Sequence, residues 1–334
     1  MKKSLIFSLM TLFIALFLVS AFAAKALKVA MVTDTGGVHD QSFNQSAWEG
    51  LQRVKKELGV DVSFKESKQD ADYAPNFETL IDGGNSLIWG IGFLMGDVIL
   101  DSAKTNPKVN FAIIDYAYDK TPKNLVGVVF KAEEASFLVG YIAGKMTKKN
   151  KVGFVGGMHI PVIPPFEFGY KAGVKYANKK VEIMDQYAES FVDAAKGKAI
   201  ANQMYQKGAD IVFHAAGGVG DGVIEAAKEQ KKWAIGVDKD QNFLAPNNVL
   251  TSAMKRVDNA VFNVTKDLKD GKFKGGQTIV YGLKEGGVDI APSSSKHVPA
   301  AILKEVAKIK QMIIDGKLKV PTNEKDYNAF VKGL

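Results

Sequence analysis

Along most of the chain, short runs of β-branched and other apolar residues alternate with longer amphipathic stretches, and Gly, Asp or Asn mark the turns between them. That alternation predicts parallel strands joined by crossover helices. In the first half the pattern predicts strands at Lys28–Thr33, Asp61–Glu66, Ser86–Gly90, Phe111–Asp115 and Val126–Phe130. Helices are predicted between them, near Asn44–Leu58, Tyr73–Asp82, Gly96–Thr105 and Glu133–Met146. The rhythm then restarts, with strands at Val152–Gly156, Val181–Gln186, Ile211–Ala215, Trp233–Val237 and Val249–Ala253. The helices of this second series are predicted near Phe166–Ala177, Asp193–Lys207, Val219–Glu229 and Val257–Asp270.

Two series of the same order imply an α/β chain of two similar units, joined near Phe130–Glu134 where a strand runs straight into a helix. No Pro- or Ser-rich tether separates them, so the joint reads as a tight hinge. Late segments cross back. Thr278–Tyr281 is expected as a further strand of the first lobe, Ala300–Ile314 as a helix closing the second, and Ser293–Ser295 as a loop between them.

Lys2 and Lys3 precede an apolar run from Leu5 to Val19 and the small-residue stretch Ser20–Ala24, with Ala21 and Ala23 where a signal peptidase reads. The expectation is a cleavable export signal over 1–23 and a mature chain beginning near Ala24 or Lys25; an uncleaved anchor is the alternative. The protein is thus expected in the periplasm or otherwise outside the cytoplasm. Roughly 310 residues remain, more than one core usually absorbs, which fits two lobes of about 150. The chain has no cysteine, which excludes disulfides, thiolate metal sites and lipid attachment through an N-terminal cysteine. The formal charge of +8 is spread over Lys-rich stretches such as Lys148–Lys151 and Lys228–Lys232. These lack interleaved aromatics and read as solvated helix ends, not as a nucleic-acid surface.

In open parallel sheets, ligands bind beyond the carboxyl ends of the strands. After the first strand comes a loop from Asp34 to Asn44 with Asp34, Asp40, two glycines and Phe43; Asp115-Tyr116 ends the fourth strand. In the second unit Phe213-His214-Ala215-Ala216-Gly217-Gly218 and Val237-Asp238-Lys239-Asp240 stand in the same position. A carboxylate fixed at a strand end accepts hydrogen bonds from vicinal hydroxyls, and a neighbouring ring stacks on a flat base. Asp40 and Asp240 are read as N-cap or turn residues, while Phe43 fits a stacking ring or a hydrophobic staple equally well.

Other motifs fail on chemistry. Gly140-Tyr-Ile-Ala-Gly-Lys-Met146 has one residue too few for a phosphate loop, and Met146 where a magnesium-holding hydroxyl is required. Gly217-Gly-Val-Gly-Asp-Gly222 lacks the dinucleotide spacing and reads as a close-packed turn facing a ligand. His39, His159, His214 and His297 show no metal-ligand spacing, and no nucleophile motif is present, so neither cofactor nor catalysis is expected.

With those residues in view, the chain resembles the basic membrane protein family of ABC-transporter substrate-binding proteins, in particular its purine nucleoside receptor branch. The resemblance spans the mature chain. It rests on Asp34–Leu51, on Ser190-Phe-Val-Asp193 with Lys196-Gly-Lys198, on Ala215–Gly218, on Ile235–Gln241 and on Thr251–Arg256. It implies a type I periplasmic-binding-protein fold, two Rossmann-like lobes joined by a three-segment hinge, divided as 24–130 plus 254–284 and 131–253 plus 285–334. It further implies that Phe43 and Phe191 flank a base, with Phe213 as the alternative second ring, and that Asp238 holds ribose hydroxyls. Asp34, Asn44, Asp115 and Lys255 would add polar contacts, and Gly217 and Gly218 would let backbone approach the ligand. The implied partners are a purine nucleoside such as inosine, guanosine or adenosine and a membrane permease, with the receptor monomeric. Many members carry a cysteine after the signal; Ala23-Ala24-Lys25 stands there in this chain. A receptor for a free sugar or other small polar ligand and an extracytoplasmic nucleoside hydrolase are the competing readings. A transcription regulator of this fold would need a helix-turn-helix where the export signal stands.

Overall fold

The computed structural model describes residues 27–334; the export signal expected over 1–23 and its cleavage site lie outside them. Two six-stranded sheets form the framework. In the first, β1 (Lys28–Thr33) lies between β2 (Asp61–Lys65) and β3 (Leu87–Ile91), followed outward by β4 (Asn110–Ile114), β5 (Leu125–Phe130) and β11 (Gln277–Tyr281). All these pairings are parallel. In the second, β6 (Lys151–Gly156) lies between β7 (Glu182–Tyr187) and β8 (Ile211–Ala215), then β9 (Trp233–Asp238), β10 (Val249–Lys255) and the antiparallel edge strand β12 (Val288–Ile290). The central strands are buried on both faces, which is why they read as continuous apolar runs.

Helices cover each sheet. In the first lobe these are α1 (Phe43–Leu58), α2 (Tyr73–Asp82), α3 (Gly96–Thr105) and α8 (Val257–Lys269). α1 shows how local chemistry sets an element. Asp40 accepts from the backbone N–H groups of Ser42, Asn44 and Gln45 (3.0, 2.8 and 3.0 Å), satisfying donors that a helix start leaves free. Gly59 ends the helix in the left-handed region. Between the ends, Ala47, Leu51 and Val54 face the core, where Val257, Ala260 and Val261 of α8 meet them.

The second lobe carries α4 (Ala132–Met146), α5 (Pro164–Ala177), α6 (Ala194–Gln206), α7 (Val219–Glu229) and α9 (Ala300–Ile314). A short polar helix, α10 (Glu324–Lys332), follows. The rejected phosphate-loop glycines have a structural use: a Cβ on Gly140 would lie 2.2 Å from the Tyr170 carbonyl oxygen, so α4 and α5 touch backbone to backbone there. Gly222 allows the same between α7 and α6, its Cβ position lying 1.8 Å from the Ala194 carbonyl oxygen, and Gly220 leaves room for the His214 ring.

The chain crosses between the sheets at three places: β5 to α4, β10 to α8, and β11 to β12. Because β10 stays in the second sheet through Lys255, its crossing falls at Arg256. The crossings are tied together: Lys131 N–H donates to the Tyr281 carbonyl (2.9 Å), Arg256 N–H to that of Gly287 (2.8 Å), and Leu283 N–H to the Glu134 carboxylate (2.7 Å). Ser293–Ser295, expected as a loop, lie within a 3₁₀ turn over Pro292–Lys296.

Candidate functional site

The carboxyl ends of both sheets face one cleft, the place where open α/β sheets bind small molecules. The first lobe contributes Asp34, directly after β1. Its Oδ1 accepts from Gly36 N–H and from Asn44 Nδ2, each at 2.8 Å. A Cβ on Gly36 would come within 2.9 Å of that amide nitrogen, so the loop closes this tightly only with glycine. Asn44 also donates to Asp40 (3.0 Å), while its Oδ1, buried, has no partner within the described protein. Phe43 precedes it on the first turn of α1 and lines the cleft.

The second lobe contributes Asp238 at the end of β9, Lys255 at the end of β10, and Phe191 from the segment before α6. Ser190 Oγ accepts from the N–H groups of Val192 and Asp193 and holds that segment, and the Phe191 ring lies where a Cβ on Gly157 would stand. Lys255 bridges the lobes: its ammonium bonds Asp115 Oδ2 at 2.5 Å, with the two side chains only 4% and 8% exposed. The same ammonium lies over the ring of Phe43 at 4.7 Å and near those of Phe130 and Phe166 at 5.3 and 5.8 Å, a desolvated cation held by ring quadrupoles as well as by its counter-ion.

Electrostatics sets the cleft apart. Withdrawal from water pushes the Asp34 carboxyl up to about 6, against the hydrogen bonds from Gly36 and Asn44, and the nearby charges of Asp40 and Asp115 add to the rise. Asp238 is likewise pushed to about 6 by burial; the Lys255 charge and the Ser42 hydroxyl pull it down, and Asp40 and Asp115 push it up. Both thus sit closer to neutral pH than free carboxylates do. Gln41, Asp115 and Asp238 have left-handed backbone (φ 55, 70 and 62). Such strain costs on the order of 1–3 kcal/mol each and gathers at functional sites.

Of the residues anticipated from sequence, Asp34, Phe43, Asn44, Asp115, Phe191, Gly217, Asp238 and Lys255 line this one cleft. Phe213 does not: alternation along β8 turns its ring into the core, with centroids 5.1 Å from Tyr170 and 5.6 Å from Phe154. Gly218 is also displaced from the wall, standing at the start of α7 while Ala215, Ala216 and Gly217 face the cleft. Asp40 and Asp240 cap helical turns as read, Asp240 holding Asn242 N–H (3.2 Å), and Asp40 lines the cleft too. The sequence reading missed an apolar wall of Ile160, Val162, Ile163 and Phe166, and Phe93 after β3. Both segments follow strand ends; the signal was their position, and they passed unnoticed because they carry no polar group.

His214 is no acid or base for this cleft. Burial holds it down at about 4, and its Nε2 meets Gln241 Oε1 at 3.0 Å; that oxygen also takes the Val237 N–H (2.9 Å). Since an amide oxygen only accepts, Nε2 carries the proton and the imidazole is a neutral strut beneath the cleft floor.

Two α/β lobes, a joint of three crossing segments and a cleft between carboxyl strand ends define a ligand-binding receptor of the periplasmic-binding-protein type. Within that class the chain belongs to the family described as ABC transporter substrate-binding protein PnrA-like, whose model matches residues 27–324. It is 43% identical over 310 residues to basic membrane protein A of Borreliella afzelii, covering 91% of this chain and 94% of that protein. It is 44% identical over 317 residues to the ABC transporter nucleoside-binding protein BmpA of Lactococcus lactis subsp. cremoris, covering 89% of each. Among solved structures, an ABC transporter solute-binding protein from Aeropyrum pernix K1 superposes with a TM-score of 0.81 at 30% identity, over 92% of this chain and 96% of that one.

Proposed function

We propose that this protein captures a purine nucleoside in the interlobe cleft, outside the cytoplasm, and delivers it as a monomeric receptor to an ABC permease. The observation that carries the reading is the convergence of Phe43, Phe191, Asp34 and Asp238, remote in sequence, on one cleft. In this reading Phe43 and Phe191 flank the base and Asp238 accepts from the ribose hydroxyls. Asp34 and the unpartnered Asn44 Oδ1 accept from N–H groups on the base edge. Lys255 and Asp115 complete the polar wall, and Gly217 brings backbone to the ligand. Binding on one lobe and closure about the three crossings follow from better contact with the closed state. The Lactococcus relative, named for nucleoside binding, supports the ligand class.

The test is mass spectrometry of whatever the recombinant protein releases on denaturation, followed by calorimetry with inosine, guanosine, adenosine and ribose. A retained or tightly bound purine nucleoside is expected. Binding of free sugars alone would reject it. Incubation with inosine separates receptor from hydrolase: a receptor returns the nucleoside intact, and release of hypoxanthine would overturn the assignment.

A further inference from the structure

Ser42 belongs to the loop that leads into α1 in the first lobe, and Asp238 ends β9 in the second. Their buried side chains meet across the cleft, Ser42 Oγ donating to Asp238 Oδ2 at 2.5 Å. The serine is fixed on its own lobe, because its N–H donates to Asp40 Oδ1 at 3.0 Å. The neighbouring chain is clasped twice more. Gln241 Nε2 donates to the Gln41 carbonyl at 3.2 Å, and Lys239 Nζ meets Glu49 at 2.6 Å. Both backbones are left-handed where they face each other, at Gln41 and Asp238. Asp238 Oδ1, by contrast, accepts no hydrogen bond among the described residues.

A carboxylate holds two hydroxyls well only when its plane is fixed, since free rotation about the Cβ–Cγ bond spreads the acceptor over many directions. We propose that Ser42 is a positioning residue which, from the opposite lobe, anchors one oxygen of Asp238 so that the other is aimed at the ligand's vicinal hydroxyls, making diol recognition conditional on lobe closure. The inference rests on the reading of Asp238 as the ribose acceptor. In the open receptor Asp238 loses its anchor; on closure the serine both orients the carboxylate and favours its ionised form. The charged groups that bear on Asp238 come from three sides: Lys255 on β10, Asp40 before α1 and Asp115 at the end of β4.

The experiment is calorimetry of the full chain with inosine and 2′-deoxyinosine as a function of pH, for the unsubstituted protein, Ser42→Ala, Ser42→Thr, Asp238→Asn and the Ser42→Ala/Asp238→Asn pair. The unsubstituted protein is expected to prefer inosine. Ser42→Ala should weaken inosine binding about tenfold or more, as loss of a hydrogen bond to a charged group does. It should affect 2′-deoxyinosine less and raise the pH below which affinity falls. Ser42→Thr, which keeps the hydroxyl, should restore the preference; Ser42→Gly deletes it by a second route should the alanine variant fail to fold. In the Asp238→Asn background, Ser42→Ala should add little. An unchanged inosine preference and pH profile in Ser42→Ala overturns the inference while leaving Asp238 as the ribose acceptor, as does an equal loss in the Asp238→Asn background. Equal binding of the two nucleosides by the unsubstituted protein, or binding of neither, overturns the ribose reading and the inference with it.

Discussion

Replacing Lys255 by Met keeps the length of the stem but deletes the ammonium that faces Asp115, Asp238 and three aromatic rings. The Lys255–Asp115 pair is almost fully buried, and removing one partner of such a pair costs about 3–5 kcal/mol. A second estimate gives the same scale. The surviving carboxylates can escape by binding a proton, and neutralising a carboxylate of ordinary pKa near 4 at pH 7 costs about 4 kcal/mol. A loss of about 3 kcal/mol lowers Tm by roughly 6–12 °C in domains of this size. The two mechanisms differ in pH dependence. The Lys255 charge pulls the buried Asp238 carboxyl down; without it that carboxyl lies further above its unfolded value, so the penalty is full above the folded value and fades as pH falls toward the unfolded one. Near pH 5.5 the protonation cost drops to about 2 kcal/mol, and the Tm gap between variant and parent should shrink by about half. Thermal unfolding of both proteins, without ligand, near pH 7.5 and pH 5.5 reads this directly. Adding Asp115→Asn to Lys255→Met should recover most of the loss at the higher pH. A gap independent of pH, together with no recovery in the double variant, would mean that Lys255 contributes packing alone and would refute the electrostatic account.

Phe43→Ala should weaken nucleoside binding by about 1–3 kcal/mol, roughly 5- to 150-fold, and leave the binding of free ribose nearly unchanged; calorimetry with both ligands checks it, and an equal loss for ribose would exclude stacking. For the unsubstituted protein, Asp34 and Asp238 are held at about 6, above their ordinary 3.8, by burial. Each therefore opposes folding above pH 6 and stops doing so as pH falls toward 4, whereas a ligand that donates to them needs the anions. Lowering pH from 7 to 5 should thus weaken nucleoside binding while these two groups contribute a gain in ligand-free stability, and affinity that rises on acidification would contradict it. Phe213→Leu should lower stability by about 1–2 kcal/mol through lost core contacts with nucleoside Kd unchanged; a tenfold change in Kd would return that ring to the cleft.

Most of the framework was legible because the buried strands are long apolar runs and the helices carry a regular apolar face. β1, α2, α3, β8, α7 and α9 begin and end where the pattern puts them. What escaped was short or solvent-facing. β12 has only three residues, too few to show an alternation, and α10 meets the core through the half-buried rings of Tyr327 and Phe330 alone, with no fully buried residue to impose a period. Glycine misleads in a different way. A missing Cβ serves a phosphate, a ligand or a neighbouring helix equally well, and sequence does not say which; Gly140, Gly220 and Gly222 turn out to accommodate protein atoms. Rings are ambiguous for a related reason. Phe191 and Phe213 both stand near strand ends, but a one-residue step along a strand reverses the face, and only coordinates decide that Phe213 points into the core.

The cleft is poor in the features that make an interior stable. It gathers Asp34, Asp40, Asp115 and Asp238 with a single lysine, Lys255, on one wall and leaves Asn44 Oδ1 unpartnered. It also holds Asp115 and Asp238 in left-handed backbone, with Gln41 beside it in the loop before α1. A core selected for stability alone would replace such groups with apolar ones at little cost, and the α4–α5 interface, packed to backbone contact, shows that this chain builds such cores elsewhere. The arrangement makes sense as a difference between two states. Lifting Asp238 from 3.8 to about 6 corresponds to about 3 kcal/mol of unfavourable burial. On the proposed reading, donors on a ligand that reach the carboxylate would relieve that penalty, and fully so only once the lobes have met. A ligand shifts an equilibrium by no more than its differential affinity for the two states, so polar groups left short of partners in the cleft enlarge the share of binding energy that drives closure. An apolar cleft of the same size would close with or without its cargo, and a permease that reads the closed form could not tell a loaded receptor from an unloaded one.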